Sequence, residues 1–307
     1  MGRFIAIRLI RSIITIWFVF TLVFIITRLT GDPTEWILPE DATLQARLEL
    51  RERLGLNKPL SEQYIMVLSS FFREGTELSY RHLRPVDRIF AERISATLRL
   101  GILSLILSVA VAVPLGTIAA VRRNTVFDRL SITLSITGSV IPNFVLGILM
   151  IFLFSLVLRM LPSGGSTTWR HYIMPVIAMS VGPMASIARL TRSSMLDVLR
   201  QDYLDFARSK GVKEKTVVAK HALRNALIPV ITIIGLQIGY IIGGSVVVET
   251  VFSWPGIGFL IVDSARARDF PVIQYGVMLI AASIAVANML VDVCYALLDP
   301  RIREKFQ

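Results

Sequence analysis

The chain has 307 residues, 54% hydrophobic and only 18% charged, with a mean hydropathy of +0.64. A soluble domain carries about a quarter charged residues, so this composition excludes an ordinary soluble protein and points to the membrane. The net charge of +11 does not point to nucleic acid, because Lys and Arg cluster in short segments beside apolar runs, as the positive-inside bias demands.

Ser12 to Thr27 is apolar apart from hydroxyls and follows Arg3, Arg8 and Arg11. The next residues, Arg28-Leu29-Thr30-Gly31-Asp32-Pro33, offer no small-x-small cleavage site, so residues 1–28 are expected to be an uncleaved membrane helix with its amino end inside. Residues 29–97 mix acidic and basic side chains without a spanning run and are expected to form a small extracytoplasmic region. Within it, Asp41 is the expected N-cap of a helix with Leu44, Leu48 and Leu54 on one side, stopping at Gly55.

Five uncharged runs follow: Gly101 to Val121, Leu130 to Leu158, His171 to Ala188, Asn225 to Val248 and Phe270 to Val291. About 20 helical residues cross the ~30 Å hydrocarbon core, so each run spans or nearly spans it. The run from His171 is the weakest, interrupted by Pro175 and Gly182-Pro183. The expected fold is an all-α integral membrane protein with six transmembrane helices and both termini cytoplasmic. Basic residues agree: Arg122, Arg123 and Arg129, nine Lys or Arg from Arg189 to Arg224, and Arg301, Arg303 and Lys305 in the tail 300–307 all fall on the expected inner side.

Between helices four and five, residues 195–225 are charged and helix-patterned. Leu196, Leu199, Tyr203, Phe206 and Ala207 form one stripe, Gly211 is a helix stop, and a second short helix is expected from Lys213 to Arg224. A docking surface and a merely solvated loop both fit this pattern. The sequence Asp202-Tyr-Leu-Asp-Phe-Ala-Arg-Ser-Lys-Gly211, followed by His221-Ala-Leu-Arg-Asn-Ala-Leu-Ile-Pro229, resembles the cytoplasmic loop of permease subunits in binding-protein-dependent ABC importers. The general pattern there is Glu-Ala-Ala, three residues, Gly, nine residues, Ile-x-Leu-Pro. Asp205 and Phe206 replace Glu and the first Ala, and His221 and Arg224 replace Ile and Pro, while Ala207, Gly211 and Leu223 keep their places. Those departures themselves resemble the peptide/nickel branch. So do Gly31-Asp32-Pro33, the run from Gly244 to Gly258 containing Phe252-Ser253-Trp254-Pro255-Gly256, Asp269-Phe270-Pro271-Val272, and Leu298 to Arg303; Thr30 and Gly75-Thr76-Glu77-Leu78 depart from that branch.

The resemblance implies a permease domain over residues 98–299 in a bacterial inner membrane. It further implies a second related permease, two cytoplasmic ATPase subunits that bind ATP-Mg, and an extracytoplasmic substrate-binding protein. Contact with an ATPase would fall to Tyr203, Asp205, Phe206, Ala207, Arg208, Lys210 and Gly211. The branch carries di- and oligopeptides, glutathione, nickel and metal chelates. Small peptides are favoured, because a peptide needs only dispersed hydrogen-bonding groups along its path; nickel or a metal chelate is the alternative.

No catalytic group, metal site or cofactor site is legible, so the chain is not expected to be an enzyme. Lys215-Thr216 follows Glu214 where a phosphate loop needs glycine, and His82, His171 and His221 are dispersed. The polar residues within the runs are Asn143, Gln237, Asn288 and Asp292. Asn143 and Gln237 fit either an interhelical hydrogen bond or the lining of a translocation path. Asp292 reads as an anchor or as the partner of a basic loop residue, and Cys294, the only cysteine, as a small buried hydrophobe. Gly235, Gly239 and Gly243 share one helix face, where a helix of a partner permease or of this chain can approach closely. A stand-alone channel or secondary transporter would show internal repeats and mid-membrane ionisable groups, and neither is evident.

Overall fold

The computed structural model describes residues 2–39, 41–72 and 78–298, and the described residues are helical apart from loops and one isolated bridge between Leu78 and Pro85. The side chains of Asp292 and Cys294, and the whole tail 300–307, lie outside the described residues. α1 (Gly2–Leu29) leads into the short helices α2 (Thr34–Ile37), α3 (Leu44–Arg53) and α4 (Leu60–Ser70). Thr43, not Asp41, caps α3, its hydroxyl accepting from Ala46 N at 3.2 Å. Leu44 and Leu48 are exposed, and the Arg51–Asp32 ion pair at 2.6 Å ties α3 to the segment that follows α1. α4 lies on α1 through Tyr64, whose ring meets Phe20 at 5.1 Å and Phe24 at 5.2 Å.

α5 (Val86–Val121) is 36 residues long, about 54 Å at 1.5 Å per residue and far more than a bilayer core requires. Residues 86–97 are therefore its opening turns, although their sequence reads as part of the charged extramembrane region. Their charges hide an inward stripe of Val86, Ile89 and Phe90, buried against α12 (Ile257–Arg266) and α13 (Phe270–Leu298).

The run expected as one third span is two helices, α6 (Val126–Val140) and α7 (Asn143–Met150), the latter continuing as a π-helix to Val157; the two arms meet at 98°. Pro142 causes the break: it has no N–H to donate, and its ring drives Ile141 out of the helical region to φ −74°, ψ 119°. Five other helices are long and apolar enough to cross a membrane, and the bent pair makes a sixth if its arms form one span. α8 (Arg170–Val198) runs unbroken through both Pro175 and Pro183, although its sequence reads as the weakest span. That stretch packs on α5, and Ser108 there donates to Ser180 O at 3.0 Å.

α9 (Asp202–Ser209) follows, then α10 (Glu214–Thr216), which passes through a π-helical turn into α11 (Leu223–Val251). The expected separate helix over Lys213–Arg224 is thus the opening of α11. α12 and α13 complete the bundle, with α5 and α8 forming its most extensive contact and α11 packed on both. The segment 78–85 sits beside α12, at the distal end, through Arg81–Asp263 at 2.7 Å and Ser79–Asp269; α9 lies at the opposite, loop end. A Cβ placed on Gly116 would come within 2.5 Å of Ala188 O, a backbone atom that cannot swing aside. Gly116→Ala should cost roughly 1–3 kcal/mol by overpacking. Thermal unfolding of the purified variant measures this, and an unchanged midpoint would mean that α5 and α8 do not approach this closely.

Candidate functional site

Leu204 decides how α9 sits. It is fully buried in a cluster with Ala120, Met195, Val217 and Ala222, and it pins the eight-residue helix to the ends of α5, α8 and α11. Ala207 packs against the same cluster. Tyr203 and Phe206 face out, 43% and 61% exposed, and leave an aromatic surface on the far side of α9. The stripe read as one helix face is thus split: α8 ends at Val198, the chain turns through residues 199–201, and α9 starts in a new direction.

The charges around α9 brace the loop. Arg208 bonds Asp205 at 2.7 Å and Glu214 at 3.0 and 3.1 Å, tying α9 to the start of α10. The hydrogen bonds to Glu214 and then Asp205 push the Arg208 guanidinium further above its ordinary pKa. Lys210 lies over the Phe206 ring at 4.4 Å. Gly211 makes the turn between them at φ +78°, with open space where a Cβ would sit, so it is backbone conformation and not crowding that requires glycine there. Asn225 Nδ2 donates to Tyr203 OH at 2.7 Å, a direct link from the exposed face of α9 to α11. Sequence reasoning passed over Leu204, which its position one residue from Tyr203 takes off the chosen stripe. It also missed Asp128, which receives Arg192 at 2.5 and 2.9 Å and fastens α6 to α8.

Deeper in the bundle, Asn143 and Gln237 line one small cavity of about 30 Å³ with Gly101, Ser104, Met179 and Ile241. Asn143 stands at the Pro142 break, where α7 begins, and Gln237 is mid-way along α11. Ile241 rests on Gly101 so closely that a Cβ there would lie 1.9 Å from its Cγ2. Gly243 faces α13, where a Cβ would lie 3.1 Å from Ile284. Gly235 is half-buried, and the surroundings of Gly239 lie outside the described residues. Among the described residues no three His, Cys, Asp or Glu side chains cluster as metal ligands would.

At the distal end, Glu249 is buried and accepts from Thr97 Oγ1 at 2.7 Å, Gly258 N at 2.7 Å and Phe259 N at 3.1 Å, capping α12 with a carboxylate. It is the charge at which the apolar run Asn225 to Val248 stops, and α11 continues past it to Val251.

A family model described as the inner membrane component of binding-protein-dependent transport systems matches residues 112–304. The chain is 44% identical over 299 residues to the glutathione transport system permease protein GsiC of Escherichia coli O6:H1, covering 97% of this chain and 98% of that protein. It has the same identity and coverage with the protein of that name from Shigella dysenteriae serotype 1. Among solved structures, the MetNI methionine ABC transporter in inward-facing conformations aligns with a TM-score of 0.57 at 18% identity, over 69% of this chain and 96% of its own, a likeness of fold.

Leu204→Ala should loosen α9 from the bundle by about 2–5 kcal/mol, the usual range for emptying a buried leucine site. Hydrogen exchange over residues 200–212 measures it, with Phe206→Ala as the control that should leave protection unchanged. Equal protection in both variants would mean that Leu204 is not the anchor.

Proposed function

The chain belongs to the inner membrane components of binding-protein-dependent transport systems and is a permease subunit of an ABC importer, and we propose that it passes small peptides, driven by an ATPase seated on α9. The observation that carries the reading is the two-sided build of α9: Leu204 and Ala207 held in the bundle, Tyr203 and Phe206 presented outward, and Tyr203 bonded to Asn225. A partner closing around Tyr203 and Phe206 displaces α9 as a unit. The displacement passes through the Leu204 cluster to α8 and α11, and α11 carries Gln237 some twelve residues further on, about 18 Å along its axis.

The cavity at Asn143 and Gln237 has room for about two waters, far below the several hundred cubic ångströms that enclose a small molecule, so a path drawn through it is closed in this reading. Ile241 on Gly101 is the contact that must part. The lining offers two amides, a hydroxyl and apolar surface, which suits a peptide backbone better than a bare metal ion. The glutathione permeases that the chain resembles along almost its whole length point the same way. Family membership removes the stand-alone channel reading, and a transporter component of this kind is not itself an enzyme.

In this reading α9 and both termini are cytoplasmic, and the distal end, with residues 29–85, receives the substrate-binding protein. ATP-Mg is held by two separate ATPase subunits. The partner across the passage is a second, related permease. Any close approach of Gly235 and Gly239 to that partner is part of the same proposal, whereas Gly243 is already occupied by α13.

Replacing Gly211 with Val places a β-branched residue at positive φ, which costs about 1–2 kcal/mol and reshapes the turn. The expected result in proteoliposomes is a fall of at least about tenfold in uptake per ATP hydrolysed, with the complex still assembled. Uptake still tightly coupled to hydrolysis in this variant would sink the role given to α9. The substrate is decided separately, by uptake of glutathione, dipeptides and nickel chelates in cells lacking the chain: loss of peptide uptake is expected, and loss of metal uptake alone would reverse the assignment.

A further inference from the structure

α1 stands at the rim of the bundle, with only 11% of its most apolar stretch buried, and at the distal end it is fastened to α13 by Gln274 Nε2 donating to Thr27 Oγ1 at 2.6 Å. Toward the loop end the two antiparallel helices part, leaving a groove of about 310 Å³. Arg8, Arg11 and Ser12 of α1 and Asn288 of α13 line its mouth; Val19, Ala281, Ile284 and Ala285 line its length. The groove is thus basic and polar at one end and apolar along the rest, with small residues on the α13 wall.

Height identifies the occupant. Arg8 and Arg11 lie 20 and 17 residues before Arg28, or about 30 and 26 Å along the helix, so the pair and Arg28 bracket a hydrocarbon core of ~30 Å. Arg8 and Arg11 are therefore at headgroup depth. Val19 is about 12 Å further in, close to the ~15 Å depth of one leaflet. Exposed Ile10, Ile13, Ile14 and Trp17 on the same helix leave its flank to the bilayer.

We propose that this groove holds one anionic phospholipid, its phosphate against Arg8 and Arg11 with Ser12 and Asn288 as hydrogen-bonding neighbours, and one acyl chain against Ala281, Ile284 and Ala285. The lipid fills the wedge where α1 leaves α13 and so seats the peripheral helix on the bundle. That it comes from the cytoplasmic leaflet rests on the orientation proposed above; the binding chemistry does not.

The test uses the full-length chain with its partner subunits in nanodiscs of phosphatidylcholine containing phosphatidylglycerol, with retained lipid counted by native mass spectrometry. Retention of phosphatidylglycerol over phosphatidylcholine is expected. Removing each arginine should weaken it roughly five-fold, so R8Q/R11Q loses on the order of thirty-fold. Ala285→Trp, which blocks the slot and leaves the charges, should lose it too. Inorganic phosphate and glycerol phosphate should not displace the lipid, because they bring no chain. Three outcomes overturn the proposal: unchanged retention in both variants, equal retention of the two lipids, or disulfide crosslinking of a cysteine at Ala281 to a partner permease, which would make the groove a subunit interface. Labelling a cysteine at residue 2 with a membrane-impermeant reagent in intact cells reports the orientation independently, so a wrong leaflet is told apart from a wrong ligand.

Discussion

A buried carboxylate must be satisfied or it destabilises everything around it, and at Glu249 that demand fixes the distal end of the molecule. Its oxygens take the Thr97 hydroxyl and the amides of Gly258 and Phe259, while Thr97 Oγ1 in turn accepts from Ile257 N at 2.8 Å. One side chain thereby joins α5, α11 and the amino end of α12, where the helix dipole favours negative charge. The local sequence follows from it: a Cβ on Gly256 would come within 2.5 Å of the carboxylate, and one on Gly258 within 2.4 Å of Val246 Cα. Trp254 is folded fully inward by the same turn, its indole donating to Ala96 O at 3.1 Å and meeting Tyr172 edge-on.

The distal end carries a second clamp of the same kind. Asp269 repeats the device beside α12, holding Ser79, Tyr80 N and Arg81 N, so the segment 78–85 is carried with the start of α13. At the loop end the buried Asp128 takes Arg192 and Asn124 N and fastens α6 to α8, while α9 itself is held by apolar packing at Leu204 and by exposed ion pairs at Arg208, which are individually weak in water. On the proposed function, α9 is the element a partner can displace, and α11, which runs from the loop end to the distal end, is the route by which that displacement reaches Gln237 and Ile241.

How much of this was legible depended on whether a residue's meaning is local. Gly211 was readable because positive φ after a helix is a backbone property, and the number of apolar runs was readable because bilayer thickness sets their length. The prolines were not: Pro142 breaks its helix while Pro175 and Pro183 do not, and α8 is packed along α5 through that stretch, a contact that sequence order does not reveal. The opening of α5 was hidden because Asp87, Arg88, Glu92 and Arg93 outweigh Val86, Ile89 and Phe90 in composition, although the apolar residues recur at helical spacing. Asn143 and Gln237, which line one cavity, are legible as polar residues in apolar runs. Glu249 escaped the same rule because a charge was used to end the run that it belongs to.

On the proposed path, closed by Ile241 against the backbone of Gly101, a substrate meets few polar groups near the closure, Asn143, Gln237 and Ser104, and these are uncharged. Ser104 is already committed to Leu100 O. Such a lining can solvate a peptide in transit without discriminating strongly among side chains, since discrimination requires buried polar groups left unpaired by the wrong ligand. On the proposed function, specificity is then imposed before the substrate reaches the bundle, at the distal end, which Glu249 and Asp269 brace.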